Sequence, residues 1–199
     1  MAGVEHGEPL FARIRRSDHC ERRTSHERGS SANCDEFEGA LPCGTVSRRD
    51  QIRMSDDEVL AFLAEERTVV CATNGRDGFP HLMPLWYVVR DGRLWAWTFA
   101  KSQKVRNLER DPRATLQVEA GEEYHLLRGV MFECDVTVHR DISVVEPLGL
   151  EIFTRYGDGS EPNDELRAMV AKQAAKRVGL EFTERSRATW DHRKLGGVY

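Results

Sequence analysis

Two runs rich in β-branched and aromatic residues, Phe79–Val89 and Leu94–Phe99, are separated by little more than Asp91-Gly92. An Asp-Gly pair accepts the two positive φ angles of a type I′ turn, whose twist matches the strands it joins, so this segment is committed to an antiparallel hairpin. A turn cluster, Asn74-Gly75-Arg76-Asp77-Gly78, precedes the hairpin and links it to a third strand, Thr68–Thr73. Further strand patterns lie at Arg113–Val118, Gly129–His139, Val178–Thr183 and Ala188–His192. Helical spacing runs from Val59 through Leu63 behind a capping box, Ser55-Asp56-Asp57-Glu58. It recurs over Gln103–Arg110, stopped by Asp111-Pro112, and over Asp141–Tyr156 and Asp164–Arg177. Consecutive strands with helices between them predict a mostly β (α+β) antiparallel barrel, not alternating parallel units.

Composition bounds what such a barrel can do. At 199 residues there is room for one core-bearing domain. The net charge of −4 argues against a task of neutralising nucleic-acid phosphates or an anionic membrane surface. The longest apolar run, Val59–Ala64, is far short of the ~18 residues a membrane helix needs. Arg13, Arg15, Arg16 and Asp18 fall where a secretory signal would place its apolar core, so the expected location is cytoplasmic. Five cysteines in no paired spacing are expected to be free thiols.

The first 53 residues differ from the rest: nine Arg, nine Asp or Glu, no Lys, and aliphatics only as isolated residues. A segment without an apolar face cannot offset its ordering entropy, so 1–53 are expected to form a disordered extension and 54–199 the domain, with Met54 as a candidate biological start. The spacing of His19, Cys20, His26, Cys34 and Cys43 fits no standard zinc pattern, and no metal site is expected.

The candidate chemistry lies at Pro80–Arg113. Strand alternation puts Trp95, Trp97 and Phe99 on one face and Leu94, Ala96 and Thr98 on the other, and the aromatic face suits either packing or a planar ligand. After the strand comes Ala100-Lys101-Ser102-Gln103-Lys104. Ser102 is expected to cap the next helix, with Lys101 and an exposed Lys104 beside the free N–H groups as a phosphate cradle. Two lysines within four positions stand out in a chain with only five. No Ser sits in a nucleophile elbow, and His81, His125, His139 and His192 form no acid–base pattern, so no catalytic side chain is assigned.

The runs His81-Leu82-Met83-Pro84-Leu85-Trp86-Tyr87 and Lys101-Ser102-Gln103-Lys104-Val105-Arg106-Asn107-Leu108 through Arg113 resemble the flavin-binding split β-barrel superfamily that includes the pyridoxamine 5′-phosphate oxidases. Leu127-Arg128-Gly129-Val130 and Trp190–Leu195 are similar to its branch that uses the deazaflavin coenzyme F420. The resemblance covers Ser55 to Lys194. It implies a homodimer of six-stranded split barrels with cofactor sites between subunits. It further implies that Leu82, Met83, Pro84, Leu85, Trp86 and Tyr87 line the ring and ribityl chain, that Trp97 and Thr98 touch the cofactor, and that Gln103 and Lys104 hold its phosphate, beside Lys101 and Ser102 of the cradle read from the helix start. Trp190 and Lys194 would come from the partner. Pyridoxamine oxidases carry arginines where this chain has Leu82 and Gln103, so that oxidation is not expected. The expected activity is F420-dependent hydride transfer to a small conjugated or heteroaromatic substrate. The alternatives are an FMN-dependent enzyme of the same fold, or a non-catalytic binder of a flavin or a haem-like tetrapyrrole.

Overall fold

The computed structural model describes residues 47–157 and 160–197. They form one seven-stranded antiparallel sheet: β1 (Val69–Asn74), β2 (Pro80–Leu85), β3 (Tyr87–Arg90), β4 (Arg93–Phe99), β5 (Arg113–Ala120), β6 (Arg128–His139) and β7 (Arg177–Asp191). The strand order is β2-β1-β5-β6-β7-β4-β3. Five helices flank it: α1 (Arg48–Gln51), α2 (Asp56–Glu65), α3 (Gln103–Arg110), α4 (Ile142–Tyr156) and α5 (Asp164–Ala174). Among the described residues no helix is long and apolar enough to cross a membrane.

The Asp-Gly turn is as expected, with Asp91 at φ 49° and Gly92 at φ 73° joining β3 to β4. The run Phe79–Val89 is not one strand. It breaks at Trp86, so that β2 pairs with β1 and β3 with β4, at opposite ends of the strand order. The six strands implied by the resemblance become seven through this break. Conversely, the two strands expected at Val178–Thr183 and Ala188–His192 are halves of β7. The polar stretch between them resembles a turn in composition, but it ladders onto β6 through an irregularity at Glu133/Cys134.

The sheet buries side chains on both faces. On one, Val69, Cys71, Leu116, Val130, Leu180 and Phe182 pack with Phe62 and Leu63 of α2 and Val105 of α3. On the other, Val88 and Trp97 pack beneath α4 and α5 against Leu148, Ile152 and Val170. Strand β4 divides as its alternation predicts, with Leu94 and Ala96 in the first core and Trp97 in the second. Gly149 lets α4 lie on Trp97, since a Cβ there would sit 2.5 Å from the indole.

The expectation for the N-terminal extension falls largely on residues 1–46, which lie outside the described residues. Residues 47–53 depart from it. Ser47 caps α1, the Ile52 carbonyl accepts from Asp191 N–H at 2.7 Å, and Met54 is buried in the first core. This segment is held by main-chain hydrogen bonds rather than an apolar face, which composition does not reveal.

Because Gly149 has no free volume around it, Gly149→Val overpacks α4 on Trp97. A loss of about 1–3 kcal/mol is expected in urea unfolding, and a neutral result would refute the close approach.

Candidate functional site

Strand β4 ends at Phe99, and a tight turn, closed by Ser102 N–H donating to the Phe99 carbonyl at 3.0 Å, delivers the chain into α3. Helix α3 has the boundaries its sequence predicts, but its start is built differently. Ser102 has N-cap backbone angles, yet its side chain makes no capping bond, and its hydroxyl oxygen is buried without a partner. Ser55, Asp141 and Asn163, by contrast, cap α2, α4 and α5 with their side chains.

Lys104 corrects a second expectation. It is not an exposed helix-start lysine: it is only 6% exposed, and its Nζ donates to Thr98 Oγ1 at 3.1 Å across the mouth of the barrel. It forms no ion pair with any carboxylate among the described residues. Burial lowers its pKa below 10.5, an effect partly opposed by Cys71, whose buried thiol is itself pushed up to about 12. Alternation on β4 explains the contact, because Thr98 points to the α3 side. Beside this pair, Gln103 Nε2 donates to Asn107 Oδ1 at 2.9 Å and Asn107 Nδ2 to Thr73 Oγ1 at 3.1 Å. Asn107 and Thr73 escaped the sequence reading, although positions 103, 104 and 107 form one legible stripe of α3.

The remaining candidates divide. Leu82, Met83 and Pro84 are exposed on edge strand β2, whereas Leu85 and Tyr87 are buried in the core. Tyr87 donates its hydroxyl to the Leu63 and Glu66 carbonyls, the mark of a structural tyrosine. Trp86 is 49% exposed and stacks on Tyr156 with ring centroids 4.5 Å apart. Tyr156 also accepts from Tyr87 N–H at 2.9 Å and donates to the Arg67 carbonyl at 2.7 Å, so the end of α4 holds the strand break. No local sequence signal marks that contact. Trp97 lies on the face opposite Thr98, buried edge-on to Phe153 beneath α4. Lys101 is exposed in the turn before α3. Trp190 covers Gly129 of its own chain, where a Cβ would lie 2.3 Å from the indole. Lys194 is bound to the Arg53 carbonyl and to Glu58.

Thus Thr98, Ser102, Gln103 and Lys104 come together at the start of α3. A buried ammonium with one neutral partner, next to an orphaned hydroxyl and uncapped N–H groups, has the chemistry that could hold an anion.

Its cost is measurable. In the unfolded chain Lys104 keeps its proton up to about its ordinary pKa, while the folded chain releases it at lower pH. Between those values the unfolded state binds more protons, so the Lys104 contribution raises stability as pH rises. Lys104→Met is therefore expected to be more stable than the wild type at pH 7 in buffer free of phosphate, and its advantage to shrink toward pH 10.5. Denaturant unfolding of both proteins across that range checks this; an advantage constant with pH would contradict a buried charge.

The sequence profile of the pyridoxamine 5′-phosphate oxidase family matches residues 55–182. A crystal structure of the conserved protein Rv2991 from Mycobacterium tuberculosis is 40% identical, with a TM-score of 0.71, over 77% of this chain and 95% of that one. An F420 reductase shares the fold at 21% identity and TM-score 0.50, covering 64% of this chain and 93% of its own. The haem storage protein HutZ of Vibrio cholerae shares it at 16% identity and TM-score 0.53, covering 68% and 92%. No curated protein matches the chain. With more than half of its length inside the profile, and the curled antiparallel sheet described above, the chain belongs to the pyridoxamine 5′-phosphate oxidase-like family of flavin-binding split barrels.

Proposed function

We propose that the chain is an F420-dependent oxidoreductase, working as a homodimer, that transfers hydride between the deazaflavin coenzyme and a small conjugated or heteroaromatic substrate. The observation that carries this reading is the anion site at the start of α3: buried Lys104 without a carboxylate partner, and Ser102 with its hydroxyl unpaired. A cofactor phosphate fits these groups. It would accept from the Ser102 hydroxyl and the first α3 N–H groups and compensate the Lys104 charge. Leu82, Met83 and Trp86 present an apolar wall that excludes water from one side of a planar ring and orients it. When bound, reduced F420 supplies the hydride from C5 of its ring. The protein's contribution would then be placement, with Ser102 and Lys104 holding the phosphate and Leu82, Met83 and Trp86 facing the ring.

F420 is favoured over FMN by the resemblance of Leu127–Val130 and Trp190–Leu195 to the F420-using branch, and the fold shared with an F420 reductase supports it. The haem storage relative supports a non-catalytic tetrapyrrole binder as the second reading. The homodimer reading rests on exposed Leu82, Trp86 and Phe99, which a second subunit would cover.

Calorimetric titration of F420 and FMN into the wild type is expected to show tighter binding of F420. A charge-assisted hydrogen bond worth about 1.5–3 kcal/mol sets the effect of Lys104→Met, a rise of about ten- to a hundredfold in Kd. Ser102→Ala should weaken binding in the same direction. Haem binding without F420 binding would overturn the proposal, as would affinities indifferent to both substitutions.

A further inference from the structure

The end of β4 carries a second cation that no acid offsets. Arg177 opens β7 and pairs in register with Phe99, so the two side chains share the face of the sheet that also carries Trp97. Its guanidinium carbon lies 4.4 Å from the Trp97 ring centroid and 4.3 Å from that of Phe99. Nε and Nη2 both donate to Oε1 of Gln173 on α5, at 3.3 and 3.1 Å. Nη1 and the second N–H of Nη2 donate to nothing among the described residues. The side chain is half-buried, and that burial lowers its pKa below the ordinary guanidinium value.

Other arginines of this fold lie over aromatic rings, and each of them is bonded to a carboxylate or to the main chain. Arg90 over Trp95 pairs with Glu151, Arg128 over Phe62 with Glu65, and Arg187 over Phe132 with Glu184. Arg67 and Arg155, over Tyr156, donate to carbonyls. Arg177 has a neutral amide alone. Attraction to the two ring faces fixes its guanidinium but leaves the N–H edge for another partner. Filling the space between the rings requires no charge, since an apolar side chain would do so without desolvating one. Close by, the Ala100 N–H donates to the Lys176 carbonyl at 3.0 Å, and exposed Lys101 and Lys176 add positive charge with no ion pair among the described residues. Phe99 is 53% exposed, an open phenyl face beside that edge.

We infer that Arg177 and Phe99 form a subsite for a planar carboxylate, the acid group of the substrate, on the face of β4 opposite Lys104. Thr98 and Phe99 are consecutive, so this subsite and the one at the start of α3 lie back to back across a single strand end. The inference rests on the reading of α3's start as the cofactor's site, which puts the substrate beside that strand end. A carboxylate presents two oxygens in one plane, the arrangement that the free edge of a guanidinium matches. A conjugated group attached to it stays in that plane and covers the phenyl ring. A second subunit over Phe99, as the homodimer reading has it, would close the subsite into a pocket. The subsite thus selects a conjugated acid over its neutral amide, which keeps the stacking and loses the charge-assisted bonds.

Cinnamate, a conjugated acid, and its neutral amide cinnamamide probe the subsite in the full-length protein. Their binding is followed through the Trp97 indole N–H resonance at fixed salt, with and without saturating F420. Cinnamate should bind about tenfold or more tightly than cinnamamide, and Arg177→Met should remove that preference while changing F420 affinity by less than about twofold. Phe99→Ala, at an exposed position, should weaken both probes several-fold, and it carries the test if Arg177→Met unfolds. Equal binding of acid and amide to the wild type overturns the subsite, as does a preference that survives Arg177→Met or unchanged affinity for both probes in Phe99→Ala. Displacement of cinnamate by F420, or a larger loss of F420 affinity in Arg177→Met, also overturns it, because the arginine would then belong to the cofactor's site. An Arg177-dependent preference for cinnamate in a protein that binds neither F420 nor FMN would support the subsite and overturn the cofactor reading instead.

Discussion

The sheet curls because one residue, Trp86, is taken out of the ladder. The segment 80–90 would otherwise be a single strand with one pair of neighbours. Broken at Trp86, its two halves serve the opposite edges of the strand order, which bends the sheet back toward itself. The bend is enforced from outside the sheet. Tyr156, the last residue of α4, stacks on Trp86 and accepts from the Tyr87 N–H, while the Tyr87 hydroxyl grips the end of α2 through two carbonyls. With the sheet so curled, α3 lies across its mouth, and Lys104 meets Thr98 while Asn107 meets Thr73 of the far strand.

What the sequence made legible follows from the range of the forces involved. The Asp91-Gly92 turn and the capping box at Ser55 are set by neighbouring residues and are present as read. So is the alternation of β4, which separates Thr98 from Trp97 and accounts for a site on one face and a packed aromatic on the other. The break at Trp86 is not local, because it depends on Tyr156 seventy positions away. Continuous β7 is equally hidden: a stretch as polar as Glu184–Arg187 becomes a strand only because twelve-residue β6 offers it a ladder. The direction of Lys104 could not be read either. A helix-start lysine defaults to solvent, and its inward course follows from where the curl puts Thr98.

The inward lysine gives the site its character. An ammonium under a helix, with a threonine hydroxyl as its one neutral partner, costs desolvation that the folded chain does not itself recover. A bound anion would recover that cost, and the Ser102 hydroxyl, buried without a partner at the same helix start, would be satisfied by it.

The grip of Tyr156 on the strand break has a further consequence, for solubility. An edge strand offers free N–H and carbonyl groups to any passing chain, and long exposed edges invite fibrous pairing. At Tyr87 those groups are occupied by a phenol, which satisfies the main chain without continuing the ladder. Proline at positions 80 and 84 removes two donors from the other edge. The two ends of the sheet are thereby blunted by different chemistry, and an uncurled or α4-deleted form of this domain would lose the phenolic cap at β3 and present a longer template for aggregation.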